Sequence, residues 1–229
     1  MEILTKRFLL RDFREEDAAA FQKYHADPRS SEFYGAEEVK PGHAQQLLET
    51  FNKWAKEKPR RNYQFAIIQR QGSQLLVGCC GLRTADSEAS KAEFGIELAP
   101  EFWGRYGYAI EIMHALGDFG FGNLKLRDIY GGTVSANARI ARLASSFGAV
   151  ATARPTPAWM AARGWSQVEW HITTEQWETG RLRFQRPRAK SGARVNVNVR
   201  RSKEAHESAR GRAVHLRSKM GSQTEGDLL

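Results

Sequence analysis

The run GIELAPEFWGRYGYAIEIMHALGDFGF, residues 95–121, constrains the fold more than any other part of the 229-residue chain. It begins as a strand ending at Leu98 and crosses a turn made of Gly104, Arg105, Tyr106 and Gly107. It then opens into an amphipathic helix whose apolar stripe continues through Ile112, Leu116 and Phe119. The first N–H groups of such a helix have no intrahelical partners and sit at the positive end of its dipole. That arrangement favours a phosphate or pyrophosphate, with glycine letting the ligand approach the backbone and Arg105 adding a cation. The same glycines also suit an ordinary strand-to-helix turn, so the loop alone leaves both readings open. Neither the Rossmann GxGxxG nor the Walker Gly-Lys-Ser/Thr pattern occurs.

The pattern around this run mixes short strands with amphipathic helices. Arg7 to Arg11 reads as a strand, followed by an acidic helix start at Arg14-Glu15-Glu16-Asp17 and a helix with Ala20, Phe21 and Tyr24 on one face, stopped by Pro28. A second helix is predicted from Pro41 to Lys58, with Leu47, Leu48, Phe51 and Trp54 at helical spacing. Strands come next at Tyr63 to Gln69, Gln74 to Leu82 and Lys91 to Leu98. The first two are joined by the hairpin-length link Arg70-Gln71-Gly72-Ser73, the last two by the polar turn TADSEAS. Helix, strand, helix and further strands complete an α+β unit with a central mixed sheet over residues 1–180.

Charge separates this unit from the rest of the chain. Thirteen Lys and Arg face four acids from Arg181 onward, while 22 bases and 22 acids cancel over positions 1–180, so the whole formal charge of +9 lies in the last segment. That segment, 181–229, has almost no aromatic residues and few large apolar ones, which predicts a disordered basic tail. Weak contact with RNA or the ribosome is its functional alternative, although it carries no stacking aromatics. No run nears the ~18 apolar residues of a membrane span, and MEILTKRFLLRDF has no apolar stretch behind a basic leader. Cys79 and Cys80 are adjacent and give neither a disulfide framework nor a zinc site. The expectation is a cytoplasmic protein without metal or membrane partner.

With these residues in view, the chain resembles the GNAT acetyltransferases, in particular the branch with ribosomal-protein N-terminal acetyltransferases of the RimJ/RimL type. That branch reads Gly-x-x-hydrophobic-x-Pro-x-x-Trp-Gly-(Lys/Arg)-Gly-Tyr-Ala-x-Glu. Gly95, Pro100, Trp103, Gly104, Arg105, Gly107, Tyr108, Ala109 and Glu111 answer to it, with Tyr106 as one extra residue. RFLLRDFREEDAAAF is similar to its opening strand and helix, usually Thr-x-Arg-Leu-x-Leu-Arg before an acidic Asp. VGCCGLR and KAEFGIEL are similar to its third and fourth strands. Asn137 and Gly148 stand at the family separation, with Ala149 in place of the usual Phe, and ITTEQWE resembles its closing strand and Glu-x-Trp ending. The likeness spans roughly residues 4–178.

The resemblance implies the GNAT fold, a mostly antiparallel mixed sheet flanked by helices, and transfer of an acetyl group from acetyl-CoA to an amine. The coenzyme would lie where the family's fourth and fifth strands splay, its pyrophosphate on the amides of Arg105, Tyr106, Gly107, Tyr108 and Ala109 beside Gly104. Its pantetheine arm would pair with Ile96, Glu97 and Leu98, with Asn137 on the other side. The thioester is already activated, so proximity and orientation suffice and no metal is needed; an N–H near Leu98 would polarise its carbonyl. At pH 7 roughly 10% of an α-amine is neutral against about 0.04% of a lysine, so an N-terminal amine asks less of a base. Glu93 is the candidate base, with a surface strand carboxylate as the plain alternative. Glu111 reads as a helix-start acid. The Ser that some members carry three residues after the Asn is Ile140 here, and Ser166 and Trp170 replace a usual Asp and Tyr. Tyr108 and Tyr130 are the remaining named acids. His25, His43, His114 and His171 are scattered and read as structural or exposed. Trp159, Met160 and Trp165 either shape the acceptor pocket or fill the core. The acceptor is expected to be a protein N-terminus or a small amine, on a monomer or homodimer. The competing reading is a coenzyme A-binding or ribosome-associated module with weak or lost catalysis.

Overall fold

The computed structural model describes residues 1–72, 74–84 and 90–185, apart from the side chains of Tyr106 and of 182–185. These residues belong to one compact unit. In chain order its elements are β1 (Glu2–Leu4), β2 (Phe8–Arg11), α1 (Ala18–His25), α2 (His43–Ala55), β3 (Asn62–Gln69), β4 (Leu76–Arg83) and β5 (Lys91–Leu98). Then come α3 (Tyr106–Gly117), β6 (Asp128–Val134), α4 (Ala138–Ser146), β7 (Val150–Arg154), α5 (Ala158–Ala161), β8 (Gln167–Thr173) and α6 (Thr174–Gln185). One eight-stranded sheet runs β1-β2-β3-β4-β5-β6-β8-β7. Every pairing in it is antiparallel except β5–β6, whose crossover is α3. The expected mixed, mostly antiparallel α+β sheet is what forms.

Helices cover both faces. On one, Phe119 just after α3 packs its ring against Tyr63 and Phe65 of β3, and Phe8 of β2 meets Tyr108 of α3 edge-on at 4.8 Å. On the other, α1 and α2 join through Phe13, Phe21 and Phe51. The course of α1 follows a single cross-strand row, Arg11–Ala66–Cys79–Glu97, contributed by β2, β3, β4 and β5. Three strand spacings make that row about 14 Å long, and Asp17 to His25 spans about 12 Å of helix. The helix is tied at both ends of the row. Asp17 grips the Arg11 guanidinium through two bonds of 2.7 and 2.9 Å, and Tyr24 and His25 reach Glu97.

The structure departs from the sequence reading at three places. β1 is too short to leave a period-2 signal. The Glu175-x-Trp177 ending, for which no helix was expected, lies on α6, with Trp177 buried against Gly117 and Asp118. α6 also runs through the boundary expected at 180/181. Ser73, residues 85–89 of the polar turn, and the expected basic tail from 186 onward lie outside the described residues. No helix among the described residues is long and apolar enough to cross a membrane.

Candidate active site

The parallel pair β5–β6 is registered over three rungs only: Lys91–Asp128, Ala92–Ile129 and Glu93–Tyr130. Past Glu93 the two strands have no common rung, although both are interior to the sheet. Burial records the gap. β4 is buried from Val77 to Leu82, whereas residues 93–98 of β5 are only partly buried and Gly132 of β6 is exposed. A central strand with one free edge offers backbone N–H and C=O groups to an extended, amide-bearing ligand.

The open end of the gap leads into the glycine turn. Trp103 folds back and donates its indole N–H to the Leu98 carbonyl at 2.6 Å. Gly104 follows at φ +75°, a left-handed conformation costly for other residues, and α3 begins at Tyr106. Gly104, Arg105 and Gly107 are exposed, Arg105 reaches the Tyr108 hydroxyl at 3.2 Å, and Ala109 is partly buried in the same first turn. The turn thus sets a helix start, two exposed glycines and a guanidinium side by side, a combination whose chemistry suits an anion.

What steadies the turn is Glu111, read from the sequence as a helix-start acid. Its Oε1 accepts from the Thr5 hydroxyl and the Arg7 amide, both at 2.6 Å, and its Oε2 accepts from Arg7 Nε at 2.6 Å. Arg7 also donates to the Gly107 carbonyl. The Thr-x-Arg motif therefore clamps the β1–β2 turn onto the start of α3. Burial pushes the Glu111 carboxyl upward, but the bonds from Thr5 and Arg7 outweigh it and hold it below the ordinary 4.5. A depressed carboxyl contributes stability that is complete above its unfolded value and lost as pH falls through the folded one. Glu111→Gln should lower stability by about 1–3 kcal/mol at neutral pH. Melting curves of variant and wild type should converge once the pH falls well below 4.5.

The remaining predicted residues fall around this gap. Asn137 caps α4, its Oδ1 accepting from the Ile140 amide at 3.2 Å. Tyr130 stacks on His171. Glu93 occupies the last β5–β6 rung with Arg83 Nε 3.3 Å away. It shares a sheet face with Gly95 and Glu97. Glu97 lies at the far end of that face beneath four side chains. The Tyr34 hydroxyl donates to its Oε1, while the Tyr24 hydroxyl (3.4 Å), the Cys79 thiol (3.8 Å) and His25 Nε2 (3.3 Å) surround Oε2. Tyr34 belongs to the segment between α1 and α2, which is strapped to later parts of the chain. Arg163 donates to the Tyr34 carbonyl at 3.0 Å, and Arg139 of α4 pairs with Glu32 while lying over the Trp103 ring. Trp165 packs on Phe33 and Trp159 lies beside Gly35, so these two tryptophans stand at this strap, whereas Met160 is buried.

A family model described as an acetyltransferase (GNAT) domain matches residues 7–150. The chain belongs to the GNAT acetyltransferase family. An uncharacterized N-acetyltransferase, p20 of Bacillus licheniformis, is 30% identical over 131 residues, covering 56% of this chain and 71% of that protein. A GNAT-family acetyltransferase from Bacillus anthracis superposes with a TM-score of 0.61 at 23% identity, covering 76% of this chain and 99% of that one. A spermidine N-acetyltransferase from Vibrio cholerae, solved with CoA and spermine, also gives 0.61 at 18% identity, covering 75% and 98%.

As a GNAT acetyltransferase, the chain is an acetyl-CoA-dependent enzyme, and the β5–β6 gap with the turn at Gly104 fits an extended thioester bearing a pyrophosphate. Sequence reasoning did not find Thr5 and Arg7 as supports of the turn, nor His25, Tyr24 and Tyr34 around Glu97. The Thr-x-Arg pattern was a usable signal for the first pair. Nothing local announces the second group, whose members stand 63 to 73 positions from Glu97.

Proposed function

We propose that the chain acetylates a primary amine by direct attack on acetyl-CoA held in the β5–β6 gap. The observation that carries this reading is the free edge of β5, an interior strand left partly exposed over residues 93–98 next to the start of α3. In it the pyrophosphate rests on the amides of Arg105, Tyr106, Gly107, Tyr108 and Ala109. The pantetheine arm extends along Ile96, Glu97 and Leu98, and Asn137 faces it from α4. Holding thioester and amine together supplies most of the rate enhancement. The acceptor is a protein N-terminal α-amine, as in the RimJ/RimL branch, or a small-molecule amine, and the setting is the cytoplasm.

Two carboxylates of β5 face the acceptor side. Glu93, the base expected from the sequence, lies at the closed end beside Arg83. A general-base role there requires Glu93→Gln to lose roughly a hundredfold in turnover. Asn137→Ala should destabilise α4 by about 1 kcal/mol through loss of its cap, and weaken acetyl-CoA binding in a calorimetric titration. The function itself is tested by following thiol release from acetyl-CoA against peptides beginning Ser, Ala and Met, polyamines and aminoglycosides. Amine-dependent release with acetylated product supports it. Saturable acetyl-CoA binding without release on any acceptor supports the competing coenzyme A-binding module instead.

A further inference from the structure

Glu97 is a carboxylate held ionised without a permanent counter-charge. Burial pushes its pKa up, but His25, Tyr34 and Tyr24 together bring it below the ordinary value. Among the described residues no lysine or arginine pairs with it, and its one potentially cationic neighbour is His25. The His25 side chain is only 7% exposed, and its Nε2, 3.3 Å from Glu97 Oε2, makes no aligned hydrogen bond. Glu97 nevertheless keeps 35% of its side-chain exposure. A partly open anion, oriented by two tyrosine hydroxyls and backed by a buried imidazole with a spare nitrogen, is built to receive a cation that carries a proton to give up. It stands on the strand whose backbone edge is proposed to hold the pantetheine arm.

We infer that Glu97 and His25 form the ammonium-binding and proton-accepting pair of the acceptor site, and that the acceptor is a protonated primary alkylamine. This rests on the acetyl-transfer reading above. The R–NH3⁺ group docks on Glu97 and releases one proton, which the carboxylate passes to His25. The freed lone pair attacks the thioester carbonyl, a C–N bond forms and the C–S bond breaks. A second proton leaves the nitrogen for the departing thiolate, giving amide and free thiol. One proton remains on His25 and returns to solvent. Glu97 is the catalytic residue, and Tyr24 and Tyr34 position it. The groups facing His25 are Phe21 and Tyr24 from its own helix and Glu97 from β5, with Cys79 of β4 and Tyr34 of the following segment gathered at the same carboxylate.

The test compares the best alkylamine substrate with the same amine carrying β-fluorines, which leave it largely neutral at pH 7. Glu97→Gln should lose about a hundredfold in kcat/KM on the alkylamine and no more than about threefold on the fluorinated analogue, which at pH 7 carries no ammonium proton to give up. His25→Asn should lower kcat on the alkylamine more than it raises KM. Tyr34→Phe, which keeps the ring, should raise KM for the alkylamine alone. Equal losses on both amines, or none, overturn the inference, as does a loss confined to Glu93→Gln. If the wild type binds acetyl-CoA but acetylates no amine, the acetyl-transfer reading falls first.

Discussion

Asp17→Ala is expected to lower the stability of the folded unit by about 3–5 kcal/mol, because it strands a buried guanidinium. Arg11 and Asp17 are 6% and 5% exposed, joined by two hydrogen bonds, and Asp17 also accepts from the Arg14 amide at 2.8 Å. Alanine leaves Arg11 desolvated, with the exposed Glu16 at 3.5 Å as a weak remaining partner. The loss should appear as a lower urea midpoint at unchanged m-value. The consequence also reaches the site, since the pair anchors the start of the helix that ends at Tyr24 and His25. A second change, Arg11→Met with Asp17→Ala, should recover much of the loss by removing the orphaned charge. A cost below about 1 kcal/mol for Asp17→Ala would contradict the buried-pair account.

Gly78→Ala should be comparably severe and more local. Ile67 pairs with Gly78 and Ile68 with Leu76, so Val77 is the extra residue of a bulge beside the open end of β5. Gly78 sits at φ +153°, and a Cβ there would stand 2.1 Å from the Glu97 carbonyl oxygen and 2.9 Å from Leu98 Cα. Both are backbone atoms that no rotamer change moves aside. Overpacking and backbone strain together imply roughly 2–6 kcal/mol, concentrated where β5 meets the gap. Acetyl-CoA affinity should fall with stability, and by more than in Asp17→Ala, whose lesion lies at the far end of the row. A variant that melts and binds like wild type would show that β4 and β5 do not approach this closely.

Most of this architecture was legible where the determining forces are local. Lys91–Leu98 was bounded correctly because its apolar alternation ends at a Pro-bearing turn; α3 was legible as a helix, but it begins inside the expected turn, at Tyr106, and ends at Gly117, before Phe119. Asn137 was singled out only through the resemblance, as a contact of the pantetheine arm; its amide oxygen caps α4 by accepting a backbone N–H. The Glu97 group was not. Its carboxylate faces the α1 side only because β5 pairs with β4 in one register, and a one-residue slip would turn it to the other face. His25 looked structural because only that register brings Glu97 to it. α6 was not anticipated because its short Thr-Glu-Gln-Trp start continues straight from a strand, without an intervening turn residue to separate the two.

Hydrogen exchange of the full chain with and without acetyl-CoA tests the central claim most directly. Occupation of the β5–β6 gap predicts strong protection of amides in 94–98 and 105–109, with little change in β1, β2 and β3. Binding that leaves 94–98 exchanging as in the free protein, or that protects another region instead, would contradict it.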